Sequence, residues 1–358
     1  MPETRLNGRR AFVIENDHLR VTLLHEGGHI AEIFDKLSGI SPLWVPPWNT
    51  IEPSTYDASK HPQFGSGSDA KLLAGIMGHN LCLDLFGGPS AEEAAAGVTV
   101  HAEGSVAPYE MAENNGILLS KAHFQLAQLR FQRSVELRGR SLKIRESVEN
   151  LAAWDRPIGW TQHVSLGPPF VARGETQLRA SVTRSKVYDA DFGPDMYLQR
   201  AAEFDWPMAP LSAGGAFDLR TMSTAPASSE YTAHLGDTQR EHLCVVAFNP
   251  AFRLAIAYIW KRSDFPWLGI WREDCSRKNT PWNGRTTALG LEFGASPMPE
   301  SRREMVERGK LFGVPGYRWL PAKGRLEAEY WVVAQTADSI PESIEWPEGT
   351  PRKPGELS

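Results

Sequence analysis

Two separated segments of the sequence carry residues suited to acid/base chemistry. WTQHVSLGPPF at residues 160–170 contains His163, and TALGLEFGASP at residues 287–297 contains Glu292. An imidazole and a carboxylate can exchange protons with a substrate near neutral pH when their surroundings adjust their pKa values. His163 and Glu292 are therefore the candidate catalytic pair.

Each of the two residues also has an ordinary structural explanation. A single histidine with polar neighbours, as His163 has, is typical of a hydrogen-bonded structural residue. In LGLEFG, strand alternation points Leu291 and Phe293 to one face and Glu292 to the other, as on a sheet with one solvated face. If both faces of that strand are buried, the carboxylate must be paired or functional.

Two further histidines are candidates for substrate binding. His101, in VTVHAEGSVAPYEM, follows a predicted short strand and precedes a Gly-Ser turn, so it can reach a cleft from a loop or lie on the surface. His79 is flanked by glycine in GIMGHN and is a candidate of the same kind.

Residues 266–285, PWLGIWREDCSRKNTPWNGR, combine tryptophan with cationic side chains. Indole faces stack on sugar rings, and guanidinium groups bind hydroxyls or carboxylates through paired hydrogen bonds. We take Trp271, Arg272 and Trp282 as candidate substrate-binding residues, with a solvated surface loop as the alternative.

Composition argues against several classes of partner. Lys and Arg number 38 against 43 Asp and Glu, a net charge of −5, and no block of like charges would follow a phosphate backbone, so no nucleic-acid partner is expected. The first residues lack the apolar core of a signal peptide, and no run approaches the roughly 18 apolar residues of a membrane span. We expect a soluble, cytoplasmic protein with no membrane partner.

The cysteines do not suggest a metal or disulfide framework. Cys82, Cys244 and Cys275 are odd in number, far apart, and without the CxxC or Cys/His spacing of a zinc site. The sequence therefore predicts buried thiols and no metal ligands.

The pattern of apolar residues predicts an all-β fold. The 12 Trp, 15 Phe and 8 Tyr beside 31 Gly and 26 Pro favour a turn-rich β protein. Alternating segments predict strands at residues 11–16, 18–39, 117–150, 242–262 and 325–336. Helical patterns are confined to residues 90–97 and 301–312, and residues 41–69 form a long irregular segment of the kind that is often functional.

The same pattern predicts one domain. No linker between residues 70 and 340 is rich enough in Pro, Gly or Ser to mark a boundary. We predict a single large antiparallel β-sandwich over residues 1–340 and a polar, Pro-rich tail at residues 341–358.

Taken in order, these segments resemble the galactose mutarotase-like superfamily, the aldose 1-epimerases and their relatives, over roughly residues 10–336. IENDHLRVTLLHEGGHIAEIFDKLSG is similar to the first strands of the family, and GRLEAEYWVVAQ to its last strands. HAEGSVAPYEM resembles the family's His-Gly segment. WTQHVSLGPPF and LGLEFGASP resemble the segments that carry the general acid histidine and the general base glutamate.

The resemblance implies an all-β, large antiparallel super-sandwich with a ligand cleft on a concave sheet. It implies an isomerase that interconverts the α and β anomers of a small carbohydrate, as a monomer or homodimer, with no metal and no organic cofactor. Glu292 would take a proton from the anomeric hydroxyl, His163 would give one to the ring oxygen, and His101 would hydrogen-bond the sugar.

The sequence departs from the family pattern before His101. No counterpart of the Gly-Arg-x-x-Asn-Arg segment is present, because residues 71–88 contain no arginine. The family's binding aspartate is also not assignable, although Asp205 and Asp264 are available. These differences keep open a non-catalytic carbohydrate-binding or sensor protein on the same fold.

Cationic residues near Trp271 leave a further alternative open. Arg272, Arg277, Lys278 and Arg285 could select an anionic sugar, because arginine binds carboxylate and phosphate through bidentate contacts. A lyase-like reaction on oligosaccharides is another chemistry that such sandwiches can host, although fold alone does not determine function.

Overall fold

The computed structural model describes residues 4–347, and strands dominate this part of the chain. The earlier strands are β1 (Thr4–Leu6), β2 (Arg9–Glu15), β3 (Leu19–Leu24), β4 (Ile30–Asp35), β5 (His79–Asp84), β6 (Glu110–Asn114), β7 (Ile117–Phe124), β8 (Leu129–Arg138), β9 (Ser141–Asn150), β10 (Arg156–Leu166), β11 (Gln177–Ala180) and β12 (Val182–Val187). The later strands are β13 (Glu203–Asp205), β14 (Met208–Pro210), β15 (Ala216–Asp218), β16 (Ser228–Gly236), β17 (His242–Asn249), β18 (Leu254–Lys261), β19 (Trp267–Asp274), β20 (Thr287–Gly294), β21 (Lys310–Leu311), β22 (Val314–Pro315), β23 (Arg318–Leu320) and β24 (Arg325–Thr336). The α-helices of the described residues are α1 (Ala70–Leu73), α2 (Ala91–Ala95) and α3 (Arg302–Arg308).

Most strands belong to two large antiparallel sheets. The 12-stranded sheet has the order β1-β2-β3-β4-β5-β10-β20-β19-β16-β12-β13, with β23 paired to the start of β10. The 8-stranded sheet has the order β11-β17-β18-β24-β9-β8-β7-β6. The predicted all-β, antiparallel sandwich is therefore confirmed.

The main core lies between the two sheets and is built by strand alternation. Leu291 and Phe293 of β20 point into it, and Phe293 stacks on Trp260 of β18 with ring centroids 4.4 Å apart. Because successive strand residues face opposite sides, Glu292 points to the other face of the 12-stranded sheet. That face carries the candidate site.

Residues 197–219 cover the side of the 12-stranded sheet opposite the cleft, at its β16 end. They pack around a small apolar cluster that includes Leu198 and Leu219. Glu230 of β16 accepts hydrogen bonds from the amides of Tyr197 and Leu198 and so attaches this segment to the sheet.

The predicted helices are present but short. Residues 91–95 form α2, and both α2 and α3 begin with a capping box, Ser90 with Glu93 and Ser301 with Glu304. The helix predicted at residues 301–312 ends at Arg308, since the chain reverses at the next residue and then forms β21.

The prediction of a short strand before His101 was wrong. Residues 98–102 form a turn in which His101 and Ala102 have positive φ angles of 63° and 56°. Non-glycine residues seldom adopt this left-handed conformation, and where they do the surrounding structure often holds them at a functional site.

Only the beginning of the predicted tail belongs to the described residues, and positions 348–358 lie outside them. Ile344 and Trp346 pack on the outer side of the 8-stranded sheet. Trp346 stacks on His242, with ring centroids 4.3 Å apart. This part of the tail therefore adds to the core rather than projecting from it.

Residues 4–347 contain no candidate membrane-spanning helix, metal-binding cluster or disulfide. No helix among them is long and apolar enough to cross a membrane. They contain no group of three or more His, Cys, Asp or Glu side chains arranged to hold a metal ion. Cys82, Cys244 and Cys275 are free thiols, and the first two are buried.

Candidate active site

The site is built on the central strands of the 12-stranded sheet. β10 and β20 pair antiparallel with His163 directly opposite Glu292, so both side chains leave the same face. Nε2 of His163 lies 3.1 Å from Oε1 of Glu292, and both side chains are almost fully buried. The two residues that were selected from separate segments are in direct contact.

A cleft of about 250 Å³ opens above this pair. Its lining is formed by Asp69, Leu72, Leu73, Ile76, Phe86, Gly87, Gly88, Val100, His101, His163, Phe192, Tyr231, Trp271, Arg277, Trp282, Glu292 and Pro299. Pockets for drug-sized ligands have volumes of roughly 300–1,000 Å³, so this cleft is suited to a smaller molecule.

Burial shifts the pKa values of the pair in opposite directions. It raises the pKa of Glu292 to about 8, and the nearby Arg277 only partly opposes that shift. Burial lowers the pKa of His163 well below 6.5, and His101 lowers it further. At neutral pH the pair therefore shares one proton, which Glu292 holds and His163 can accept.

His101 reaches the cleft from its left-handed turn. Its Nδ1 lies 2.7 Å from the carbonyl oxygen of Phe86, and because a carbonyl only accepts, Nδ1 carries the hydrogen. Nε2 is then the unprotonated nitrogen. The His101 and His163 rings are 4.8 Å apart, so a substrate that contacts one ring also comes close to the other.

Arg277 is enclosed by aromatic rings beside the pair. Its guanidinium carbon lies 5.2 Å from the ring centre of Phe192, 5.6 Å from that of Trp271 and 5.0 Å from that of Trp282. Nε lies 3.3 Å from Oε2 of Glu273. Cation–π contacts of this kind hold the guanidinium plane in place and leave its terminal nitrogens for a ligand.

The cleft contains a buried donor that lacks a partner. Nε1 of Trp271 is buried and makes no hydrogen bond within the described part of the chain. An unpaired buried donor is costly unless a ligand or water accepts from it. Trp271 is therefore suited to donate to a bound polar molecule.

The fold matches those of solved structures with low sequence identity. A Klebsiella pneumoniae protein provisionally named an aldose 1-epimerase superposes with a TM-score of 0.65 at 13% identity, covering 92% of this chain and 80% of its own. A galactose mutarotase-like protein from Clostridium acetobutylicum superposes with a TM-score of 0.58 at 14% identity, covering 94% and 98%. A galactose mutarotase related enzyme from Lactobacillus acidophilus gives 0.57 at 13%, covering 92% and 99%.

The chain has the galactose mutarotase-like fold. No protein-family model matches its sequence, and no curated protein matches it either.

Two predicted binding residues lie away from the cleft of this galactose mutarotase-like fold. Arg272 is fully buried on the opposite face of the sheet, where its Nη2 donates to the carbonyl of Leu219 at 2.6 Å. His79 also faces the inter-sheet core, with Nε2 3.0 Å from Oε1 of Gln162. The reason is strand alternation, because Arg272 follows Trp271 on β19 and Trp271 faces the cleft.

The other predicted residues come together in the cleft. His101, His163, Trp271, Trp282 and Glu292 all line it.

Sequence reasoning did not select several lining residues. In the sequence Arg277 is a candidate only as part of a cationic cluster, and no sequence pattern points to Asp69, Tyr231 or Phe192. Tyr231 is directly opposite Trp271 in the register of β16 and β19, which cannot be seen without knowing how these strands pair.

One glycine of β20 makes room for the side chains of Glu292 and Trp271. A methyl group added to Gly290 would lie 2.6 Å from Oε1 of Glu292 and 2.8 Å from Cβ of Trp271. Gly290 therefore leaves the space that the Glu292 carboxylate occupies.

We expect Gly290→Ala to displace Glu292 or Trp271 and to lower the free energy of unfolding by about 1–3 kcal/mol, as overpacking does. Denaturant unfolding checks this value. Gly88→Ala is the control, because its added methyl meets only Val100, at 4.0 Å. Equal stability of the two variants would contradict the steric argument.

Proposed function

We propose that the protein is an isomerase that interconverts the α and β anomers of a sugar or sugar derivative by acid/base ring opening. The observation that carries the proposal is the 3.1 Å contact between His163 and Glu292 at the bottom of a small cleft. To the shared fold the proposal adds an acid/base pair that holds the one proton the reaction needs and must transfer it from Glu292 to His163 to become reactive.

In the reactive form Glu292 is a carboxylate and His163 is protonated at Nε2. Glu292 accepts the proton of the anomeric hydroxyl, its electrons form the carbonyl, the bond from the anomeric carbon to the ring oxygen breaks, and that oxygen takes the proton from His163. Rotation of the aldehyde and the reverse steps give the other anomer. Proton count is conserved throughout.

Two features support this assignment of roles. The anomeric hydroxyl and the ring oxygen are bonded to the same carbon, so the groups that act on them must be close together, as His163 and Glu292 are. The neutral pair and the reactive ion pair contain the same single proton, so the active form arises by transfer within the pair. A substrate oriented by His101 Nε2 would need no other proton source.

A pH dependence follows from the raised pKa of Glu292. Above about pH 8 Glu292 loses the shared proton. We expect kcat/KM to fall by about tenfold per pH unit there, because the pair then has no acid. On the acid side both groups become protonated only well below pH 6.5, so the rate is constant between the two limits. Polarimetry across the pH range measures this profile, and a rate that stays constant well above pH 8 would contradict it.

The second candidate is a carbohydrate-binding protein without catalysis. It is favoured by residues 71–88, which lack arginine and contribute apolar side chains to the cleft instead. Calorimetry combined with anomer exchange by proton NMR separates the two. Sugar binding without accelerated exchange would support the binding protein and reject the isomerase.

A further inference from the structure

One part of the cleft lining offers a substrate no polar side chain. It consists of Leu72, Leu73, Ile76, Phe86 and Val100, which we call the apolar wall. The first four are almost fully buried in one packed cluster, and Val100 packs against that cluster. The wall is therefore a continuous hydrocarbon surface.

Three polar groups beside the apolar wall, the carbonyls of Phe86 and Gly87 and the hydroxyl of Tyr231, already have partners. The carbonyl of Phe86 accepts from His101 Nδ1 at 2.7 Å, and that of Gly87 accepts from the His101 amide at 3.1 Å. The hydroxyl of Tyr231 donates to the carbonyl of Pro297 at 2.9 Å. A hydroxyl placed against the wall would find hydrocarbon and groups that are already engaged.

The polar groups left for a substrate are elsewhere in the lining. Glu292 and His163 contact the anomeric hydroxyl and the ring oxygen in the proposed reaction. His101 Nε2, the unpaired Trp271 Nε1, the terminal nitrogens of Arg277 and the carboxylate of Asp69, which interacts with Arg277, can bind the hydroxyls that the substrate keeps.

Ordinary hexoses carry a hydroxyl on nearly every carbon, so a hexose whose ring edge meets the apolar wall places a hydroxyl against it. A buried hydroxyl without a partner weakens binding by about tenfold or more. A carbon that carries hydrogen in place of the hydroxyl makes favourable contact with the same surface.

We propose that the substrate of this cleft is a deoxy sugar, with its deoxygenated carbon against the apolar wall. This inference rests on the proposed function for the reaction, but the preference concerns binding as well as turnover. The polar groups of Arg277, Trp271 and His101 then form hydrogen bonds with the remaining hydroxyls.

The test compares sugars that differ by one hydroxyl. Anomer exchange and quenching of tryptophan fluorescence are measured for D-galactose against D-fucose, and for D-glucose against its 2-, 3-, 4- and 6-deoxy derivatives. Trp271 and Trp282 line the cleft and report binding directly. We expect at least one deoxy member to exceed its parent by about tenfold or more in affinity and in kcat/KM.

A variant of the apolar wall gives an independent test. Leu73→Asn introduces an amide that can pair with a hydroxyl, so the preference for the deoxy member should fall by about tenfold. Leu73→Met keeps the wall apolar and should keep the preference. Circular dichroism confirms that each variant is folded before its preference is compared.

The outcomes separate this inference from the proposed function. Binding that favours deoxy members without any exchange would end the isomerase proposal and leave the deoxy preference standing. Exchange that is equal for each pair, or faster with the parents, would overturn the deoxy preference and leave the isomerase. Absence of binding by every sugar in the panel would overturn the inference too.

Discussion

Glu292→Gln is expected to lower the rate of anomer exchange by about 10²–10⁴-fold, the usual contribution of a general acid or base. Glutamine keeps the shape and the contact with His163 but cannot take the proton of the anomeric hydroxyl. Proton NMR exchange spectroscopy on wild type and variant, with a sugar that the wild type turns over, measures the loss. The wild-type rate in this variant would reject Glu292 as the base.

Stability of the same variant gives a second readout. The pKa of Glu292 is about 8 in the folded protein against 4.5 for the ordinary group, so the carboxyl destabilises the fold increasingly as pH rises from 4.5 to about 8. Glutamine has no such titration. We expect Glu292→Gln to be at least as stable as the wild type at pH 8, so that lost exchange cannot be attributed to unfolding.

Glu230→Gln is the matched control for that experiment. Glu230 is also a buried glutamate of the 12-stranded sheet, with burial raising its pKa to about 7, but it faces away from the cleft. Its glutamine replacement retains an oxygen for the amides of Tyr197 and Leu198. Exchange should stay within about twofold of the wild type, since no proton of the reaction passes through it.

The strand that carries Glu292 could be predicted because its sequence alternates. LGLEFG separates Glu292 from its apolar neighbours, and the structure buries both faces of β20, the condition under which a paired carboxylate was expected. The contact with His163 could not be predicted. It depends on the register between β10 and β20, which are far apart in the sequence and are aligned by tertiary packing.

The position of Arg272 could have been predicted from alternation, whereas that of Arg277 could not. Trp271 and Arg272 are consecutive on β19, so only one of them can face the cleft. Arg277 follows in an irregular segment that begins with Cys275 at a positive φ of 55°, and such a segment has no periodicity to indicate where its side chains point.

The long irregular segment at residues 41–69 contributes to the site mainly by support. Its Trp44 stacks on Trp282 at 6.3 Å, and Trp48 meets the same ring edge-on at 5.4 Å. Asp69, at its end, lines the cleft itself. The composition of this segment suggested a functional role, but only the folded chain relates its tryptophans to the cleft.

The strand that carries His163 is also supported from the inter-sheet core. Glu146 of β9 accepts from Trp160 Nε1 at 3.1 Å and from Gln162 Nε2 at 2.6 Å, two side chains of β10 on the face opposite His163. Arg133 of β8 donates to Glu146 at 2.7 Å, and both side chains are fully buried. A buried ion pair thus supports β10 on the face opposite His163.

Arg133→Met is expected to lower the free energy of unfolding by about 3–5 kcal/mol, because it leaves the Glu146 carboxylate buried without its cation. Chemical denaturation measures the loss. The matched control is Arg130→Met, which breaks the ion pair with Glu149 on the same two strands. That pair has the same 2.7 Å separation, but its side chains are 50% and 35% exposed. The control should cost less than about 1 kcal/mol.

Replacing both buried charges distinguishes desolvation from simple loss of contact. In Arg133→Met with Glu146→Leu no charge remains unpaired, so the double variant should be more stable than the sum of the single losses allows, by about 1–3 kcal/mol. Trp160 and Gln162 still lose their acceptor, so recovery is incomplete. Equal losses in Arg133→Met and Arg130→Met would contradict this account, and so would strict additivity in the double variant. Either result would show that burial does not determine how much the Arg133–Glu146 pair contributes to the free energy of unfolding.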